Sequence, residues 1–321
     1  MKDFIINKES IFDIDSVLAG QDIKKYDLEI ENIANNLWKN IGEFEDILQP
    51  FFTVFLQNKL LQSLYINYFA LSKLSDSYKN ISVQATTTTI DIIGRHMNLT
   101  LESGRKNYDL EFDLSRAHYF KVDDDPNVFS RKFFKKITRN IKAKAVLNYA
   151  IFRGIDVLFM NAGKLEKDFS KIKNSLDANY IYHHNMNRSQ SDVDDIIKTV
   201  TNNIYSMGLS IPNKLIIDLL EEKVFKYLPM VFNQIFSLTK FINKHKVKLV
   251  ISNATTNEVF LCLLAAAKIA EIDSLVIPHG LVTASNQGLD NYCTYQGVLN
   301  DFEPKYKGAR NIKLKLDWFE I

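Results

Sequence analysis

The sequence predicts an α/β chain with a parallel sheet and a mostly helical N-terminal region. Short β-branched runs alternate with longer helical stretches, the pattern of βαβ units. Several runs are mostly apolar, as strands buried on both faces are. Polar or small residues follow these runs repeatedly, where right-handed crossovers bring all strand C-termini to one edge.

In chain order, residues 1–80 read as mainly helical. Dense apolar residues from Ile47 to Leu74 fall at three- and four-residue steps, which suits a buried helix after Pro50. Ile81–Ala85, Thr86–Thr89 and Ile90–Met97 read as strand, turn and helix, with a threonine hydroxyl as the N-cap. Residues 98–126 carry little pattern; Asp109–Leu114 alternates like a half-buried strand, and Asp123-Asp124-Asp125-Pro126 is a turn. Ile155–Met160 is a buried-strand candidate ending at Asn161-Ala162-Gly163, followed by a polar helical segment from Lys164 to Leu176. Asn179–His184 reads as another strand, 191–205 as a helix, and Glu221–Lys244 as one long helix bent at Pro229. Val247–Ser252 is a strand. Thr255 and Glu258 then have capping-box spacing and open an alanine-rich helix through Ala270. Ser274–Ile277 is the next strand, and Pro278-His279-Gly280 ends it.

Composition narrows the function classes. The 321 residues allow two domains, or one large α/β unit with an appendage. Lys plus Arg number 40 and Asp plus Glu 38, a net charge of +2, so no overall nucleic-acid footprint exists and no nucleic acid is expected as a partner. Two cysteines cannot form a disulfide framework or a four-ligand zinc site alone, which fits a reducing compartment. The first residues lack the apolar core of a signal peptide, and no run of about 18 apolar residues exists to span a membrane. Neither G-x-G-x-x-G nor G-x-x-x-x-G-K-[ST] occurs, which weighs against dinucleotide oxidoreductases and P-loop NTPases. No G-x-S-x-G or Cys–His arrangement supports a hydrolase, and Cys262 reads as core.

In open α/β sheets, ligands bind outside the carboxyl ends of the strands. Thr86–Thr89, Asn161–Gly163, Asn253–Thr256 and His279-Gly280 are all expected there. Ile277-Pro278-His279-Gly280 is the sharpest of these: an imidazole that can accept a proton, then a glycine that permits close approach. The plainer reading is a histidine hydrogen-bonded in a loop.

His279-Gly280, the polar loop Leu281–Asp290 and the segment Tyr292–Val298 together resemble GT-B-type transferases of bacterial surface polysaccharides. That broad group includes capsule and lipopolysaccharide glycosyltransferases and CDP-glycerol glycerophosphotransferases. The likeness covers residues 245–310, and 150–245 by architecture alone. It implies a Rossmann-like acceptor-side domain over 81–300, with 1–80 a helical N-terminal region and 301–321 the start of an interdomain segment. The second GT-B domain, which usually binds the donor nucleotide, is expected to be missing or truncated. The implied activity is glycosyl transfer from a nucleotide sugar to a saccharide or lipid-linked acceptor, with the nucleotide sugar as substrate and no cofactor. His279 would act as base or phosphate partner, while Gly280, Thr87, Thr88, Asn161, Asn253, Thr255 and Gln287 would bind substrate. A non-catalytic sugar- or partner-binding half of such an enzyme is the alternative, with a sugar-nucleotide epimerase third.

Other motifs carry plainer alternatives. Arg131–Lys144 holds seven basic residues and no acid, interleaved with Phe133, Phe134, Ile137 and Ile141. It suits a peripheral contact with a membrane surface; the plainer reading is a core-facing helix with a solvated basic side, and the stretch could also bind an anionic acceptor or diphosphate. A cytoplasmic location, peripheral at the inner membrane face, follows as the expectation. His183 and His184 would point to opposite faces of a strand, Asp123–Asp125 suit a turn, and Asp192, Asp194 and Asp195 could suggest a divalent metal that GT-B-type transferases generally do not need, so no metal site is assigned. Arg95 is read as a surface ion-pair former that is also able to hold a phosphate or carboxylate.

Overall fold

The computed structural model describes residues 4–6, 11–13, 20–48, 60–78, 81–85, 88–103, 144–160, 171–182, 193–252, 258–277, 293–298 and 308–313. Its strands are β1 (Phe4–Ile6), β2 (Ile11–Asp13), β3 (Ser82–Ala85), β4 (Thr100–Ser103) and β5 (Val157–Met160). Five more follow: β6 (Ser175–Asp177), β7 (Leu249–Ser252), β8 (Asp273–Val276), β9 (Tyr295–Val298) and β10 (Arg310–Lys313). The helices are α1 (Gly20–Asn36), α2 (Gln62–Ser77), α3 (Thr88–His96), α4 (144–153) and α5 (Asn179–Tyr182). After them come α6 (Asp194–Ser206), α7 (Asn213–Lys223), α8 (Leu228–His245) and α9 (Glu258–Ile269).

The chain divides into two units, and both are discontinuous in sequence. One gathers residues 1–112 and 193–227, the other residues 113–192 and 228–321. Residues 81–300 therefore do not form one block, as the sequence had suggested. The N-terminal region is also not purely helical, because β1 and β2 form an antiparallel pair and β1 pairs with β3.

In the first unit the sheet order is β2-β1-β3-β4. The parallel pair β3 and β4, with Ser82 opposite Thr100, is joined by α3 as a crossover. Isoleucines at 90, 92 and 93 bury one side of α3. The helix stops at Asn98, whose φ of 55° few residues other than glycine tolerate. There the Leu99 N–H donates to the Gly94 carbonyl at 2.8 Å, and the Asn98 N–H to the Arg95 carbonyl at 3.3 Å. At Gly94 a Cβ would displace the end of the Leu101 side chain of β4.

Polar side chains tie the later helices to this unit. The buried Tyr65 on α2 donates its hydroxyl to Glu29 Oε1 on α1 at 2.6 Å, and the Ser210 N–H donates to the same oxygen at 2.7 Å. Burial, reinforced by the Glu29 carboxylate, pushes the Tyr65 phenol well above the usual tyrosine range, so it stays a donor. Asn203 on α6 donates to the carbonyls of Leu37 at 3.0 Å and Lys39 at 2.7 Å, just past the end of α1, where carbonyls lack helical partners. Asn203→Ala is expected to cost about 1–2 kcal/mol, read as a lower urea midpoint; an unchanged midpoint would show that water replaces the amide.

The second unit holds a six-stranded sheet of order β10-β9-β8-β7-β5-β6, parallel throughout. The coarse expectation of an α/β fold with a parallel sheet therefore holds. Val157, Phe159, Ile251 and Ile277 make a buried cluster, flanked by Ile172, Leu249 and Leu275. Helix α9 packs on β7 and β8 and against α8. Its run from Phe260 to Ala267 is buried throughout, so it carries no polar stripe.

Three local readings change. The chain from Lys171 to Asn174 is turn, and Ser175–Asp177 is strand, not helix. Asn179–Tyr182 is a short helix instead of a strand: the Ala178 N–H donates to the Phe159 carbonyl at 2.8 Å and the chain then turns, Ile181 N–H bonding back to Ala178. The expected long helix over 221–244 is two helices. Helix α7 ends at Lys223, a 3-10 turn spans Phe225–Tyr227, and Pro229 is the second residue of α8, where a missing N–H costs no helical bond.

Candidate functional site

Strand β5 has β6 on one side and β7 on the other, so the chain order reverses at β5. In doubly wound sheets this reversal opens a crevice outside the carboxyl ends of the two strands flanking it. Here those ends are in register: Met160 lies opposite Ser252, and Ser252 opposite Val276. The Ile277 N–H extends the pairing to the Ser252 carbonyl at 2.7 Å. On the far side Phe159 pairs with Asp177, whose mostly buried carboxylate ends β6 at the same edge.

Most residues expected to line this edge lie outside the described residues: His279, Gly280, Thr87, Asn161, Asn253, Thr255 and Gln287. The same holds for Asp109–Leu114, His183 and His184, the aspartates at 123–125 and 192, and Arg131–Ala143. What is described is the run of strands that precede several of them: β5 before Asn161, β7 before Asn253 and β8 before His279. Thr88 is described, and it does not share their sheet. It heads α3 after β3, in the four-stranded sheet of the other unit. The β-branched run at 81–85 looked like the first strand of the large sheet, and it belongs to the smaller one.

The first unit has a cleft of its own that sequence reading missed. Its volume is about 370 Å³, and Ile92, Arg95 and His96 of α3 line it opposite Asp218, Glu221 and Glu222 of α7. The three acids fall at i, i+3 and i+4, hence on one side of α7. Lys214 pairs with Asp218 at 2.7 Å and Lys226 with Glu222 at 3.7 Å. A guanidinium and an imidazole facing carboxylates suit recognition of small ions and zwitterions. No arrangement of three or more His, Cys, Asp or Glu able to hold a metal occurs among the described residues. Only the helical spacing of the acids was visible beforehand, and nothing local paired it with α3.

At the amino edge of the large sheet, Asp156 fastens three strands. Its carboxylate accepts from Asn174 Nδ2 at 2.7 Å and lies 2.7 Å from Lys248 Nζ, while its carbonyl accepts from the N–H groups of Lys248 and Leu249. The hydrogen bonds from Lys248 and then Asn174 hold its carboxyl below the usual carboxylate range. A lowered folded-state value means the contribution is complete above the ordinary carboxylate pKa and disappears as pH falls through the lowered one. Asp156→Asn is therefore expected to flatten the acid limb of the Tm–pH curve; an identical acid limb in both proteins would remove this role. Cys293, just ahead of β9, is buried, and burial pushes its thiol up to about 12, so it stays protonated at neutral pH. Cys262 is fully buried in α9, as core.

No helix among the described residues is long and apolar enough to cross a membrane. Compared with protein-family models, curated proteins and solved structures, the chain matches none, and its likeness to surface-polysaccharide transferases rests on the residues quoted for it.

Proposed function

We propose that the chain is a GT-B-like glycosyltransferase of surface-polysaccharide synthesis, taking a nucleotide sugar as donor and a saccharide or lipid-linked acceptor. One observation carries the reading. β8 ends at the carboxyl edge of an all-parallel sheet, beside the strand that borders the reversal point, and in sequence Ile277 and then Pro278-His279-Gly280 follow it. In the proposed reaction the acceptor hydroxyl attacks the anomeric carbon of the donor. The bond from that carbon to the nucleotide phosphate breaks, the hydroxyl proton passes to His279, and the nucleotide leaves with the bonding electrons. His279, if protonated, would instead steady the departing phosphate. Gly280, Asn161, Asn253, Thr255 and Gln287 are the proposed substrate contacts on this edge.

Calorimetry against a panel of nucleotide sugars tests the reading. Saturable binding of one of them, competed by its free nucleotide, is expected, with nucleotide release on adding a saccharide acceptor. A folded chain that binds none overturns it. Binding without transfer in any acceptor would assign a non-catalytic sugar-binding half, and an epimer formed without acceptor would assign an epimerase.

A further inference from the structure

Helix α4 buries one side and leaves a second apolar side in water. Leu147 and Ala150 are buried, whereas Tyr149 is 63% and Phe152 90% exposed. At about 100° per residue, Ala145, Tyr149 and Phe152 share the side opposite Leu147 and Ala150. Lys144 and Arg153 fall on the two flanks between these sides, and the helix contains no acid. The Arg153 guanidinium lies 5.8 Å from the centre of the Tyr149 ring. Ile151 of the same helix is 37% exposed on the flank of Lys144, and the remaining exposed large apolar residues among those described, Leu28, Tyr205, Phe236 and Ile312, are on separate elements. In sequence the same three- and four-residue step runs upstream through Ile141, Ile137 and Phe134, among the seven basic residues of 131–144.

We infer that the outward side of α4, Tyr149 and Phe152 between Lys144 and Arg153, docks on an anionic phospholipid surface. Aromatic rings bordered by cations, with no carboxylate, match a bilayer interface: rings enter the headgroup layer and cations meet the lipid phosphates. With cations on both flanks and no acid on the helix, charge complementarity selects an anionic surface. The inference stands independently of the transferase reading.

Flotation of the full chain with vesicles tests it. At low salt the chain is expected to float with mixed phosphatidylcholine–phosphatidylglycerol vesicles and to stay behind with phosphatidylcholine alone. The double variant Tyr149→Ser/Phe152→Ser should lose about tenfold or more in partitioning, and Arg153→Glu about tenfold. Because these side chains are exposed, the Tm and any nucleotide-sugar binding should be unchanged. Failure of the wild-type chain to float, equal flotation of the double variant, or equal flotation with neutral vesicles overturns the inference. So does a dimer in vesicle-free sedimentation that Phe152→Ser dissolves, which would assign the face to a second copy of the chain.

Discussion

His279→Ala is expected to slow sugar transfer by about 10²–10⁴-fold, with nucleotide-sugar binding retained. The size follows from the role: a positioned imidazole removes a proton that the acceptor hydroxyl does not otherwise give up near neutral pH. A base and a phosphate partner separate by pH. As a base, His279 works neutral, and wild-type turnover should fall toward acid pH. As a phosphate partner it works protonated, and turnover should fall toward alkaline pH. Turnover that survives the substitution would end the catalytic assignment while leaving the fold and the binding test standing.

Phe159→Ala is expected to destabilise the second unit by about 3–5 kcal/mol. Phe159 is 3% exposed on β5, the strand about which the sheet reverses, and it packs with Val157, Ile251 and Ile277. Its carbonyl also receives the Ala178 N–H. Removing the ring opens a void in the cluster shared by β5, β7 and the end of β8. Those strands form the carboxyl edge, so ligand binding there should weaken along with the urea midpoint. A loss under about 1 kcal/mol would mean that the cluster closes over the void.

Legibility followed the physics of each element. The runs at 155–160, 247–252 and 274–277 were readable because strands covered on both faces keep mostly apolar centres, Val157–Met160, Leu249–Ile251 and Leu275–Ile277. β1, β2 and β6 have three residues each, too few for any alternation to register. β10 was missed because Arg-Asn-Ile-Lys is exposed at every position, as charged edge strands are. Tyr180-Ile181-Tyr182 has strand propensity, but Ala178 turns the chain first, so packing overrides preference. The 3-10 turn at 225–227 preserves helical spacing well enough to hide the break between α7 and α8. Of the candidate site, the strands that end at the reversal point could be anticipated. The α3–α7 cleft could not, because its two walls lie more than a hundred residues apart and no local signal joins them.

The division of both units into separated chain segments bears on how the protein is made. As the polypeptide leaves the ribosome, β1 to β4 emerge long before α6 and α7, whose Asn203 and neighbouring Ser210 secure α1. The first unit must wait, incomplete, while the opening strands of the second are synthesised. Cutting the gene at any single point therefore gives no fragment holding one whole unit free of part of the other, so attempts to express either half alone should yield insoluble protein.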